Sequence, residues 1–144
     1  MGISPRALVA SPDLQNRRAL VAILNGEGWS TISASRLRDC QDVLTRHHIE
    51  VVFCEPHLAD GNYHELLRVA RLCRPPVPVI VTSRTADWDE YRAALHHGAL
   101  DLIPSPFHST DVRRSISLAK CKRGLLSMNQ SKRTSVFSSV GCAP

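Results

Sequence analysis

The run Val51-Val52-Phe53-Cys54 narrows the possible folds more than any other stretch of this chain. Four apolar residues without a polar break, closed by Glu55 and Pro56, read as a strand covered on both faces, because a half-exposed strand would alternate apolar with polar. Such strands belong to parallel sheets with helices on either side. Glu55 then falls just past the carboxyl end of a central strand, the edge of an open α/β sheet where ligands and chemistry gather. Taken alone, Glu55 is as well explained as a solvated charge that ends the strand.

The rest of the chain supplies the context. Ala7-Leu8-Val9-Ala10 is a short apolar run and gives the first strand. Ser11-Pro12-Asp13 reads as a helix start: Ser can cap, Pro suits the first helical position, and Asp suits the positive helix end. Leu14, Leu20, Val21, Ile23 and Leu24 form an apolar stripe that Asn25-Gly26 stops. Thr31-Ile32-Ser33 is a polar second strand, fitted to a sheet edge. A second helix runs from about Ser35 with Leu37, Cys40, Val43 and Leu44 inward. After Asp60-Gly61 a third helix aligns Tyr63, Leu66, Leu67 and Ala70. Pro75-Pro76 interrupts the chain before the fourth strand, Val77 to Val81. Asp87 caps a fourth helix through Tyr91, Ala94 and Leu95, and Gly98 ends it. Leu100 to Ile103 is the fifth strand. Ser105-Pro106-Phe107 turns, and Ser109 or Thr110 caps a last helix that buries Val112, Ile116 and Ala119 and ends near Gly124.

Five strands alternating with five helices predict a doubly wound α/β domain, a five-stranded parallel sheet between two helical layers. Right-handed crossovers leave few topologies. The flavodoxin-like strand order 2-1-3-4-5 is one of them, and its crevice between strands 1 and 3 sets Ser11 and Pro12 opposite Cys54 and Glu55.

Composition excludes several classes. A chain of 144 residues, 43% hydrophobic and 22% charged, fits one soluble domain able to bury a core without staples. No apolar run approaches the ~20 residues that span a bilayer. Met1-Gly2-Ile3-Ser4-Pro5-Arg6 carries no export signal, so a cytoplasmic location is expected. Five cysteines, Cys40, Cys54, Cys73, Cys121 and Cys142, lack the tight spacing of disulfide frameworks or zinc sites. His47-His48 and His96-His97 are adjacent pairs, which point about 100° apart on a helix and do not converge on a metal. Neither a metal nor a cofactor is expected. Cys54 beside Glu55, with His57 and His64 near the following loop, has the parts of a nucleophile. A thiol within an apolar run faces the core, however, and buried thiols are inert.

The net charge of +5 is local. Lys120, Lys122, Arg123, Lys132 and Arg133 lie past residue 119 with no acid among them, which leaves residues 1–119 with 13 basic and 13 acidic side chains. Residues 1–119 are therefore neutral, and the domain is read as residues 1–123. Residues 124–144 are basic and Ser-rich, and read as a disordered tail. Such a tail could meet RNA, DNA or an acidic membrane surface. With Phe137 as its one aromatic it makes a poor nucleic-acid site.

Three stretches resemble the receiver domain of two-component response regulators, and the match covers about residues 6–119. They are Val51 to Glu55 with Leu58 to Gly61, Pro78-Val79-Ile80-Val81-Thr82-Ser83, and Ala94 to Phe107. The last follows the family's A-x-x-x-G-A-x-D-Y-L-x-K-P-F pattern at many spaced positions and is the most specific. The resemblance implies a role for each site position. Glu55 stands where the phospho-acceptor aspartate would be. Ser11 and Pro12 stand where two acids help hold magnesium, with Asp13 one residue late and expected to point into the helix start. Ser105 replaces the lysine that pairs with the phosphate, Ser83 keeps the switch hydroxyl, and Leu102 replaces the switch aromatic. The resemblance also implies a cis bond at Ser105-Pro106. It further implies a partner or dimer face on the fourth helix, fifth strand and fifth helix. Trp88, Tyr91, Arg92, Asp101, Arg113 and Arg114 fall there, and Trp88 and Tyr91 are anchors of the kind enriched at interfaces. Either aromatic would serve equally to shield the sheet edge.

Magnesium wants hard oxygens in near-octahedral geometry, usually including one or two carboxylates. Phosphoryl transfer rests on positioning and charge stabilisation, and a ~1 Å misplacement can cost ~100-fold. With the acidic pair and the lysine gone, the expectation is a degenerate, stand-alone receiver. It would not be an enzyme, and would dock a histidine kinase or output protein without accepting phosphate. Glu55 would then be either a permanent negative charge where the phosphoryl group would sit or an ordinary surface acid. A receiver that still takes phosphate on Glu55 or a neighbour is the alternative, and nucleic-acid binding led by the tail is the second.

Overall fold

The structure is a computed structural model and describes residues 4–122. In chain order the elements are β1 (Arg6–Ala10), α1 (Leu14–Gly26), β2 (Ser30–Ala34), α2 (Leu37–Arg46), β3 (Val51–Cys54), β4 (His57–Leu58), β5 (Gly61–Asn62), α3 (Tyr63–Leu72), β6 (Val79–Ser83), α4 (Trp88–His96) and β7 (Asp101–Pro104). A fifth helix, α5, covers residues 109–122. Five strands form one parallel sheet in the order β2-β1-β3-β6-β7, and β4 and β5 form a separate two-stranded hairpin. With the hairpin set aside, this is the flavodoxin-like 2-1-3-4-5 order, one of the few that right-handed crossovers leave open.

The central run behaves as an unbroken apolar strand should. All four residues of β3 are buried. Because side chains alternate across a strand, Val51 and Phe53 enter one core with Ala7, Val9, Leu20, Leu24, Ile80, Val112 and Ile116. Val52 and Cys54 enter the other with Leu8, Cys40, Leu44, Leu66, Leu67, Val81 and Ala94. Helices α1 and α5 cover the first face, and α2, α3 and α4 the second. Trp29, which periodicity does not flag, is buried at the base of the first core, with the Lys120 ammonium 5.7 Å above its ring.

Element ends differ from expectation for identifiable reasons. Helix α1 begins at Leu14 with Asp13 as its cap, and Ser11 and Pro12 lie before it. The Asp13 carboxylate accepts the N–H groups of Gln15 and Asn16, whereas the Ser11 hydroxyl is engaged elsewhere. Helix α2 begins at Leu37, and its cap residue Arg36 makes no side-chain capping bond. Asp60 supplies the cap instead, accepting from Leu37 N at 2.5 Å and Arg38 N at 3.1 Å. Strand β6 begins at Val79 rather than Val77 because Val77 N bonds Ala70 O and Pro78 has no N–H to place in a ladder. The strand runs on to Ser83. The β4–β5 hairpin, with Asn62 capping α3, occupies a stretch the sequence reads as loop. Asp87 caps α4 through Glu90 N at 2.8 Å, and Gly98 past its end has φ +110°. Ser105-Pro106 is cis, as is Arg74-Pro75. The expected helix end near Gly124 and the tail over 124–144 lie outside the described residues. Among the described residues no helix is long and apolar enough to cross a membrane.

Candidate functional site

Register places the candidate site. Ala10 of β1 pairs with Cys54 of β3, so the residues that follow, Ser11 and Glu55, leave the sheet side by side. Glu55 N donates to Ala10 O at 3.0 Å, and Ser11 N to Ala34 O at 3.0 Å. The Ser11 hydroxyl donates to Glu55 Oε2. Asn16, one turn into α1, donates from Nδ2 to the same oxygen at 3.3 Å. Ser105, past the end of β7, donates to Asn16 Oδ1 at 3.4 Å. Four polar residues from separate segments thus form one chain of hydrogen bonds ending on the Glu55 carboxylate, and Ser11 and Ser105 are buried within it.

Two cations flank this cluster without touching Glu55. Arg17 Nη1 donates to Ser11 O at 2.6 Å. Arg84, just beyond β6, pairs with Asp13 Oδ2. The Asn16 N–H, and then the Gln15 N–H and the Arg84 guanidinium, hold the Asp13 carboxyl below its usual range against an opposing desolvation. Both Asp13 oxygens therefore have partners, one the helix N–H groups and the other an arginine.

This donor set does not fit magnesium. Ser11 is a neutral hydroxyl already spent on Glu55, Pro12 offers a side chain with no oxygen, and Asp13 is turned into the helix. Among the described residues no group of three His, Cys, Asp or Glu converges as a metal site would need. Ser105 reaches Asn16 with a hydroxyl and brings no positive charge.

Ser83 sits at the end of β6, buried, and looks away from Glu55 in its bonding. Its hydroxyl donates to Glu90 Oε1 at 2.5 Å and accepts Ala86 N at 3.1 Å and Thr85 N at 3.3 Å. The Thr85 hydroxyl donates to the same Glu90 oxygen at 2.9 Å. The Ser83 hydroxyl is thereby tied to the first turn of α4, across a loop in which Ala86 has φ +46°.

The expected partner face is divided. Trp88 is 66% exposed and stacks on Tyr91 with ring centroids 5.4 Å apart. With Leu102 and Pro104 they line an open groove of about 500 Å³. Arg92 pairs with Asp89 at 3.4 Å on α4 itself. Asp101, expected on that face, is 6% exposed. It accepts from Leu102 N at 2.8 Å and the Ser115 hydroxyl at 3.3 Å, so its carboxylate pins β7 to α5 and is withdrawn from the surface. Arg114 lies 3.7 Å from Asp101 and 3.4 Å from Asp111, whereas Arg113 turns to Glu27 at the end of α1, at 3.3 Å.

The thiol chemistry is quiet. Burial, with smaller contributions from Cys40 and Glu55, pushes the Cys54 thiol well up. Its S–H meets the Glu55 carbonyl at 3.1 Å, and none of its hydrogen bonds among the described residues goes to His57 or His64.

Sequence reasoning missed Asn16, Arg84, Thr85 and Glu90. Asn16 could have been found from Asp13, since a residue in the first turn of α1 must face the end of β3 once β1 and β3 are neighbours. The Asp87-x-x-Glu90 spacing is that of a capping box, but here the Glu90 side chain serves Ser83 and Thr85.

No protein-family model matches the chain. It is 22% identical over 138 residues to the transcriptional regulatory protein ZraR of Escherichia coli O157:H7, which is 95% of this chain and 31% of that protein. The signal receiver domain of a putative Luxo repressor protein from Vibrio parahaemolyticus superposes with a TM-score of 0.77 at 17% identity, over 88% of this chain and 97% of that one. The beryllofluoride-activated NtrC4 receiver domain dimer superposes with a TM-score of 0.72 at 24% identity, over 79% and 94%. The fold is that of the response regulator receiver domain, and the chain is similar in sequence to response regulators. It spans less than half the length of such relatives as ZraR (31%) and the cell cycle response regulator CtrA of Brucella ovis (46%).

Proposed function

We propose that the chain is a receiver-type signalling module of a two-component pathway that acts by protein–protein contact and does not accept phosphate at residue 55. One observation carries this reading. Oε2 of the Glu55 carboxylate accepts from both Ser11 and Asn16, in a cluster with no second free carboxylate and no ammonium group. A dianion placed there would meet Glu55 itself, and nothing on Ser11, Pro12 or Ser105 would offset the added charge. The two nearby cations, Arg17 and Arg84, are engaged by Ser11 O and Asp13, and phosphoryl transfer with neither a metal nor a cation on the phosphoryl group loses the stabilisation on which it depends.

The docking face we assign is the groove beside Trp88, Tyr91 and Leu102, which a histidine kinase, an output protein or a second copy would meet. Two large aromatics stacked at an open apolar groove fit the anchor composition of interfaces. Asp101 contributes to that face only through the packing of α5.

The test is direct. Purified chain is incubated with acetyl phosphate and magnesium, and separately with magnesium and beryllofluoride, while intact mass and tryptophan fluorescence are followed. No phosphoryl adduct and no saturable fluorescence change are expected. An adduct that vanishes in Glu55→Gln would overturn the reading and restore the phospho-acceptor alternative.

A further inference from the structure

A second groove lies at the opposite end of the sheet from Glu55, where strands begin and helices end. Its volume is about 330 Å³, and Leu67, Val77, Val79 and Leu100 line it with Arg71 and Lys122. Arg71 Nη2 donates to His97 O at 3.2 Å. That bond holds the guanidinium over Gly98, where a Cβ would come within 2.9 Å of the same nitrogen. Arg68, Arg84, Arg92, Arg113 and Arg114 each have a carboxylate within 4.0 Å. Among the described residues Arg71 and Lys122 have none, as is also true of Arg6, Arg17, Arg18, Arg36, Arg38, Arg46, Arg74 and Lys120, so both remain available to an anionic partner. Two cations without counter-ions thus border an apolar floor.

We infer that this groove docks an acidic peptide segment of a protein partner. One aliphatic or aromatic side chain would lie on the floor, with carboxylates reaching Arg71 and Lys122. The size is at the lower end of ordinary binding clefts, which admits one or two side chains. Strand addition does not suit this border, since Val77 N is spent on Ala70 O and Pro78 has no N–H, so side chains make the contact. A nucleic acid would find no aromatic surface in the lining on which to stack bases. The segment after Lys122 is also a poor occupant, because Arg123, Lys132 and Arg133 carry the same sign and no acid accompanies them. This inference stands whether or not Glu55 takes phosphate.

The test uses the full chain, 15N-labelled, titrated with a synthetic peptide of alternating glutamate and leucine. A lysine–leucine peptide, polyglutamate and a single-stranded oligonucleotide serve as controls. Saturable amide shifts are expected at Arg71, Gly98, Ala99 and Leu100, with polyglutamate at least about tenfold weaker for want of the apolar contact. Exchanging charge in the double variant R71E/K122E should weaken the glutamate–leucine peptide by about tenfold or more. The variant K122E alone, which leaves the Arg71–His97 bond intact, should weaken it in the same direction. Shifts confined to other residues, unchanged affinity in K122E, or equally tight binding of polyglutamate or oligonucleotide would each overturn the proposal. So would concentration-dependent shifts at these residues without any peptide, which would make a second copy the occupant.

Discussion

At the scale of single residues, Ser83 and Glu55 show how near neighbours decide what a polar group at a strand end does. Ser83 still presents a hydroxyl at the end of β6, yet that hydroxyl serves Glu90, Thr85 and Ala86. Truncating it in Ser83→Ala leaves two loop N–H groups without their acceptor, so urea denaturation should show a loss of about 1–3 kcal/mol. An unchanged midpoint would mean the loop does not depend on this bond. The thiols give a second prediction. Burial pushes Cys40 up to about 12, helped by the negative charges of Asp39 and Asp60, and pushes Cys54 well up too. Iodoacetamide near neutral pH should leave both unlabelled in the native chain and label both in urea. Much of this site was legible in the sequence. Strand order alone sets Ser11 beside Glu55, because both follow paired strand ends. Arg84 was not legible, since its partner Asp13 lies 71 positions away and no periodicity connects a loop after β6 with a cap before α1.

At the scale of elements, helix bodies followed from apolar spacing, and one helix start, that of α2, depended on a group distant in the chain. Helix α2 has a high-contrast apolar face with Leu37, Cys40 and Leu44 buried, which any reading of the spacing finds. Its cap is Asp60, beyond β3, and only the folded loop brings that carboxylate to Leu37 and Arg38. The backbone N–H of Arg38, and then that of Leu37, hold the Asp60 carboxyl below its usual range against desolvation. By contrast α4 is capped locally by Asp87 and stopped by Gly98, and both signals stand in the sequence. Gly98 has φ +110° and faces Arg71 at close range. Any side chain there is strained as well as crowded, so Gly98→Ala should destabilise the fold by more than about 1 kcal/mol. Thermal melting measures this, and a neutral result would show that the α4 end adjusts freely.

At the scale of the whole molecule, the two cores and the crevice respond to different changes. The cores rest on alternating side chains of five strands, and no core contact requires an acid at Ser11 or Pro12 or a lysine at Ser105. The scaffold therefore does not depend on the residue types at Ser11, Pro12 and Ser105. Proton linkage separates in the same way. His64 on α3 lies between Tyr63 and His97, with ring centroids 4.3 Å and 4.2 Å away, and His96 packs on His97. Partial desolvation in the ring stack, and then the neighbouring His97, lowers the pKa of the otherwise exposed His64 from its ordinary 6.5. A base whose folded pKa is depressed binds fewer protons folded than unfolded, so its contribution to stability is intact above 6.5 and falls as the pH drops below it. The lowered Asp13 and Asp60 carboxyls act in a different window, since their contributions hold above 3.8 and are lost only under more acidic conditions. Between about pH 7.5 and about pH 5 the melting temperature should therefore fall, and His64→Gln should flatten that slope. A slope of the same size in wild type and variant would place the proton uptake elsewhere and sink the assignment to the α3–α4 histidine stack.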